Sequence, residues 1–141
     1  MPFRIAKSFT VESGHLLTKH SGACRFPHGH SRTIEIVVAS DTLDAHDMVL
    51  DFKTLKTSAA HLIERFDHTF VLNTADPRFP ELRSAYGDRI VSFENTDPTT
   101  EVIARELFLT LRQRLATVAP HVRLERLRVT ETATSWAEYC E

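Results

Sequence analysis

The sequence predicts an α+β protein whose antiparallel sheet carries helices on one face. Three observations lead there. Apolar and polar residues alternate near both ends of the chain, the mark of half-buried strands. Two internal segments repeat apolar residues every three to four positions, the mark of amphipathic helices. The order strand, strand, helix, strand, helix, strand does not alternate as a parallel βαβ array does. At 141 residues, 42% hydrophobic and 26% charged, the chain matches the size of one core, and a single domain over 1–141 is expected.

Each element follows from its residues. Phe3, Ile5, Phe9 and Val11 share one parity and Arg4, Ser8, Thr10 and Glu12 the other, with Lys7 the single misfit. Residues 13–27 hold Gly14, Gly22 and Pro27 and read as a loop. Alternation resumes from His28, with Ile34, Ile36 and Val38 opposite Thr33 and Glu35. Asp51 reads as an N-cap, and Leu55, Ala59, Leu62, Ile63 and Phe66 define a helix over 53–66. Pro77, Pro80 and Gly87 make 73–88 irregular, and Arg89–Glu94 reads as a short strand. Asp97-Pro98 reads as a second cap followed by a first-turn proline, opening a helix over 98–116 through Ile103, Leu107, Leu111 and Leu115. The last strand sets Leu127, Val129 and Glu131 against Arg126, Arg128 and Thr130.

Composition narrows the function. With 17 basic and 19 acidic residues, the formal net charge of −2 lacks the basic excess of a nucleic-acid binder. No run of about 20 apolar residues is available to span a membrane. Met1-Pro2-Phe3-Arg4 leads into a strand rather than a signal-peptide core, so a cytoplasmic protein with reduced thiols is expected. The oversupplied residue is histidine, eight against two cysteines.

The histidines concentrate in Cys24-Arg25-Phe26-Pro27-His28-Gly29-His30, with His15 upstream. Strand residues two apart project to one side, so His28 and His30 can face one ion, and Gly29 between them admits a close approach. His15 ends the first strand, beside the start of the second if the two are antiparallel. Three neutral imidazoles suit Zn²⁺ with a fourth position left open. With no Cys-x-x-Cys pair in the chain, Cys24 reads as an acid–base group beside that ion rather than a ligand, and Cys140 has no assigned role. In Asp67-His68 the carboxylate can set the imidazole's tautomer for proton relay, although such a pair also serves as a helix cap or surface pair. Glu131 shares the inward parity of Leu127 and Val129. A carboxylate there suits a flat ligand with two adjacent N–H groups, unless it is a strand-end glutamate already in solvent. Glu101 complements the dipole at the start of the second helix.

Phe9 with His15, Cys24-x-x-x-His28-Gly29-His30, Asp51-Phe52, Asp67-His68 with Leu72-Asn73, Pro98-Thr99-x-Glu101, and Glu131-Thr132 with Tyr139 occur in the order of the 6-pyruvoyltetrahydropterin synthase and 6-carboxytetrahydropterin synthase family. The chain resembles that family over about residues 3–139. The resemblance implies a tunnelling fold (T-fold): a four-stranded antiparallel sheet with two helices on one side, three such sheets joining into a barrel. It further implies a homohexamer of two stacked trimers, with active sites between subunits. His15, His28 and His30 would hold one Zn²⁺ per subunit, Cys24, Asp67 and His68 would transfer protons, and Glu131 would anchor the pterin with Thr99 near it. The substrate of both branches is 7,8-dihydroneopterin triphosphate.

The loop between Gly14 and Cys24 and the ending Glu131–Tyr139 look more like the carboxy branch, which yields 6-carboxytetrahydropterin, acetaldehyde and triphosphate toward queuosine-type deazaguanines. The other branch only eliminates triphosphate, and a non-catalytic pterin-binding relative is a further alternative. Three features depart from the family pattern: Asp97 where an Asn is usual, the run Thr10–Gly14, and residues 74–95, which match nothing in it.

Overall fold

The N-terminal alternating segments form one long antiparallel hairpin in a computed structural model that describes residues 1–141. Strand β1 (Phe3–His15) pairs with β2 (His28–Ser40) in unbroken register from Phe3↔Ser40 to His15↔His28. Strands β5 (Arg123–Thr132) and β6 (Ser135–Cys140) continue the sheet antiparallel beyond β2. On the other side, β3 (Thr69–Asn73) and β4 (Ile90–Phe93) add in parallel at the His15 end of β1, giving the order β4-β3-β1-β2-β5-β6.

The expected four-stranded antiparallel sheet is thus present as β1, β2, β5 and β6, within a mixed sheet of six. Its membership differs from the sequence reading, which took the β4 segment as the fourth strand and left β3 and β6 unmarked. Strand β3 is short and has a cover on both faces, which removes the period-two signal: Val71 joins the main core and Leu72 a second cluster on the opposite face.

Helix α1 (Phe52–Glu64) and helix α3 (Thr100–Val118) lie on one face, where Leu55, Ile63, Phe108 and Leu111 meet Ile34, Ile36 and Leu127. That face carries the odd residues of β1 and the even residues of β2, so the parity read from the sequence holds. A third helix, α2 (Phe79–Tyr86), occupies the stretch expected to be irregular. Pro80 falls in its first turn, where a proline is tolerated, and Gly87 at φ 56° ends it. Its Phe79 and Leu82 cover Leu16, Leu72 and Ile90 on the other face of the sheet.

Asp51 caps α1 as expected, accepting from the Lys53 N–H. Asp97 does not cap α3. The cap is Thr99, whose hydroxyl accepts from the Val102 N–H at 3.2 Å, so the helix begins after Pro98 rather than at it. The buried Asp97 carboxylate instead accepts from the backbone N–H groups of Thr18 and Lys19 and from the Asn73 amide, at 2.8–3.1 Å. No helix is long and apolar enough to cross a membrane.

Candidate active site

Strand register builds the histidine cluster. His15 and His28 are direct partners, and His30 stands two residues along the same face, opposite Ser13. The three ring centroids are 4.5–5.0 Å apart, and one nitrogen from each ring lies within 4.8 Å of the others. His15 donates its Nδ1–H to the Pro98 carbonyl at 2.8 Å, and His28 donates its own to the Phe26 carbonyl at 2.7 Å. Those bonds fix the tautomers and leave the Nε2 lone pairs turned inward.

There the Nε2 atoms of His15 and His30 face each other at 3.1 Å, and the buried Nε2 of His28 has no partner at all. Burial lowers the His15 pKa to about 4 and lowers that of His30, where the Arg32 charge adds to the effect. Both shifts favour the neutral ring, the form in which imidazole ligates. Inward lone pairs, an orphaned buried nitrogen and outer carbonyl supports fit a divalent cation such as Zn²⁺. Gly29 lies on the opposite face, in register with Gly14. A Cβ at Gly14 would meet the Phe70 ring at 2.8 Å, whereas one at Gly29 would meet only the Ser13 carbonyl at 3.6 Å.

Beside the triad stands Glu131, with Oε1 3.6 Å from His30 Nε2 and 3.9 Å from His15 Nε2. The side chain is 35% exposed, so it is neither a core group nor a freely solvated one. Its Oε1 accepts from the Thr100 hydroxyl at 3.0 Å, and that hydroxyl accepts from Arg32 Nη1 at 2.9 Å. Thr99 points its hydroxyl into the helix cap, and the threonine bonded to Glu131 is Thr100. Sequence reasoning passed over Thr100 and Arg32. The available signal was parity, since Arg32 shares the inward row of Ile34 and Ile36.

The candidate proton-transfer residues lie outside the sheet. Cys24 is half-buried in a single helical turn, Ala23–Arg25, and its carbonyl accepts from the Leu17 N–H. Asp97 holds the start of this loop, and Asp76 accepts from the Thr18 hydroxyl at 2.7 Å. Chiefly through its bond with the Arg78 guanidinium, the Asp76 pKa drops to about 2.

Asp67 and His68 form a turn pinned to Glu12 of β1: Asp67 Oδ1 accepts the Glu12 N–H, and the His68 N–H donates to the Glu12 carbonyl. His68 takes φ 54°, a left-handed conformation that costs a non-glycine residue about 1 kcal/mol. Its Nδ1 lies 3.0 Å from Asp67 Oδ2, so the exposed ring offers Nε2 outward. The Glu12 N–H, with help from His68, holds the Asp67 carboxyl below its ordinary pKa. His68 also borders an open cavity of about 390 Å³ with Pro27, Phe70, Tyr86 and Arg89. Within one chain no hydrogen bond joins Cys24 to Asp67 or His68.

Three convergent imidazoles with an acceptor carboxylate alongside, on an α+β sheet, form a cluster that could hold a metal ion. Residues 4–141 match the 6-pyruvoyl tetrahydropterin synthase family, and the chain belongs to that family. It is 36% identical to the 6-carboxy-5,6,7,8-tetrahydropterin synthase of Aquifex aeolicus, covering 100% of this chain and 99% of that one. It is 29% identical to the Haemophilus influenzae protein of the same name, covering 99% of each. Among solved structures, an uncharacterized protein of Wolinella succinogenes superposes with a TM-score of 0.85 at 23% identity, over 100% of this chain and 99% of that one. The Plasmodium vivax 6-pyruvoyltetrahydropterin synthase superposes with a TM-score of 0.76 at 15% identity, over 100% and 98%. These two likenesses establish the T-fold.

Proposed function

We propose that this chain converts 7,8-dihydroneopterin triphosphate and water into 6-carboxy-5,6,7,8-tetrahydropterin, acetaldehyde and triphosphate, as a carbon–carbon lyase supplying deazapurine synthesis of the queuosine type. The observation that carries the reading is the Glu131 carboxylate standing 3.6 Å from a three-imidazole cluster, in a chain whose full-length relatives bear that synthase name. His15, His28 and His30 would hold Zn²⁺, which when bound supplies Lewis acidity to the hydroxyls of the substrate's side chain.

The chain's own groups divide the remaining work. Glu131 accepts the adjacent N–H groups of the pterin's amino-pyrimidinone edge, with the Thr99–Thr100 turn beside it. Cys24 and His68 give and take protons at the substrate side chain, and Asp67 keeps the His68 proton on Nδ1 so that Nε2 is the working base. The lack of a hydrogen bond between Cys24 and His68 within one chain supports a site completed by a second copy. The open edge of β6, where Trp136 is 53% exposed, supports assembly through sheet edges into the trimeric barrel and hexamer. This reading places the enzyme in the cytoplasm, without nucleic-acid or membrane partners.

The test is to incubate zinc-loaded protein with 7,8-dihydroneopterin triphosphate and identify the products by mass spectrometry. Acetaldehyde together with the 6-carboxy product is expected. Triphosphate and 6-pyruvoyltetrahydropterin without acetaldehyde would assign the other branch, and pterin binding without any product would assign a non-catalytic relative.

A further inference from the structure

Arg32 is 2% exposed and among the largest fully buried side chains of the protein. It lies on β2 two residues beyond His30, on the row that faces α3. A guanidinium so placed needs an anion or a full set of acceptors, and Arg32 has neither. Nη1 donates to the Thr100 hydroxyl at 2.9 Å and, more weakly, to the Thr130 carbonyl at 3.4 Å. Nη2 lies 3.4–3.5 Å from the His15 ring nitrogens, and Nε has no partner. No carboxylate pairs with it directly. Glu131 is reached only through the Thr100 hydroxyl, which donates to Oε1 at 3.0 Å.

That intervening hydroxyl has one proton, and a guanidinium can only donate. Because Thr100 Oγ1 receives the Arg32 proton on a lone pair, its own proton must go to Glu131. The chain Arg32 to Thr100 to Glu131 therefore runs in one direction. Glu131 Oε1 is held as an acceptor, and on a side chain that is 35% exposed the carboxylate keeps further lone pairs for a ligand. We infer that Arg32 is a positioning residue that sets ligand-edge selectivity: acting through Thr100, it holds Glu131 to receive a ligand with adjacent N–H donors and to reject one offering an acceptor there. The inference rests on the pterin reading and adds to it the device that enforces the edge preference.

The test uses the zinc-loaded full-length protein and two fluorescent probes, pterin and lumazine, which differ in carrying an amino group or a carbonyl at position 2. Dissociation constants and zinc content are measured for the wild type, Arg32→Met, Arg32→Lys, Thr100→Val and the double variant Arg32→Met/Thr100→Val. The wild type is expected to favour pterin over lumazine by at least about tenfold, because a site built around a donor edge leaves its acceptor unpaired with the wrong ligand. Arg32→Met and Thr100→Val should each erase most of that ratio by weakening pterin, with zinc retained. The double variant should be no worse than either single one, because both break the same relay. Arg32→Lys should recover part of the ratio.

Selectivity unchanged in Arg32→Met overturns the inference, as do losses that multiply in the double variant or zinc lost together with selectivity. If Arg32→Met does not fold, Thr100→Val decides alone, and wild-type selectivity there overturns it. A wild type that binds pterin while Arg32→Met keeps the full ratio defeats only the relay. A wild type that binds no pterin defeats the pterin reading itself, and the relay with it.

Discussion

His15, His28 and His30 stand on two paired strands, whereas Cys24 sits in a loop turn and His68 in a left-handed turn beyond α1. The first group is complete within one chain. Backbone register sets the spacing of the rings, and carbonyls of Pro98 and Phe26 set the tautomers of two of them. The second group is anchored just as firmly in its backbone, through Asp97 and Asp76 on one side and Glu12 on the other, yet no hydrogen bond joins Cys24 to Asp67 or His68. A metal site needs ligands at fixed mutual distances, which a sheet supplies. In the proposed function the proton carriers need reach toward a substrate, which side chains on loops supply.

This contrast predicts that damage to the strands removes metal and damage to the loops removes turnover alone. The largest effect is expected for His30→Ala, which leaves two imidazoles: zinc per subunit should fall from about one to near zero, and turnover with it. Retention of full zinc by that variant would break the division. Cys24→Ala should lower kcat by about 10²–10⁴-fold, the usual contribution of a general acid or base, with zinc content unchanged by elemental analysis. Loss of zinc in that variant would make Cys24 a ligand and merge the two regions.

Asp97→Ala leaves two backbone N–H groups and the Asn73 amide without their acceptor. At about 1–3 kcal/mol per unsatisfied buried group, partly relieved by water, stability should fall by about 2–4 kcal/mol in denaturant titration. Asp97→Asn keeps an acceptor oxygen and should lose less. Either variant should lower kcat more than zinc content, because Asp97 holds the loop that carries Cys24.

The smallest effect concerns acid. The folded-state pKa of Asp76 is depressed to about 2 from an ordinary value near 4. Its contribution is therefore present above about pH 4 and lost as pH falls toward 2, where the folded carboxylate takes up the proton it already holds when unfolded. Because the Arg78 partner is 43% exposed, the loss should be about 1 kcal/mol. Metal-free Asp76→Asn should show a flatter stability curve over that range, and an unchanged curve would remove Asp76 from the loop's anchoring.

Much of this arrangement was legible before any coordinates. Period two placed His28 and His30 on one face and turned Glu131 toward the core, because side-chain direction in a strand is set by the pleat alone. The Asp51 cap was readable because capping needs only the next few residues. The elements that escaped notice lack such local signatures. Strand β3 is covered on both faces and shows no alternation, and α2 begins at a proline within a turn-rich stretch. Asp97 has the composition of a cap, but its three donors come from residues 18, 19 and 73.

By itself the sequence determined the α+β class, the strand parity and the chemistry of the donor set, all of which follow from residue type and short spacing. Only the tertiary structure decided that Pro98 supports His15, that Thr100 rather than Thr99 contacts Glu131, and that a buried Arg32 stands behind both. Those contacts join β1, β2, β5 and the start of α3, residues 17 to 98 positions apart. Contacts at that range arise from packing whole elements together, which no local periodicity encodes.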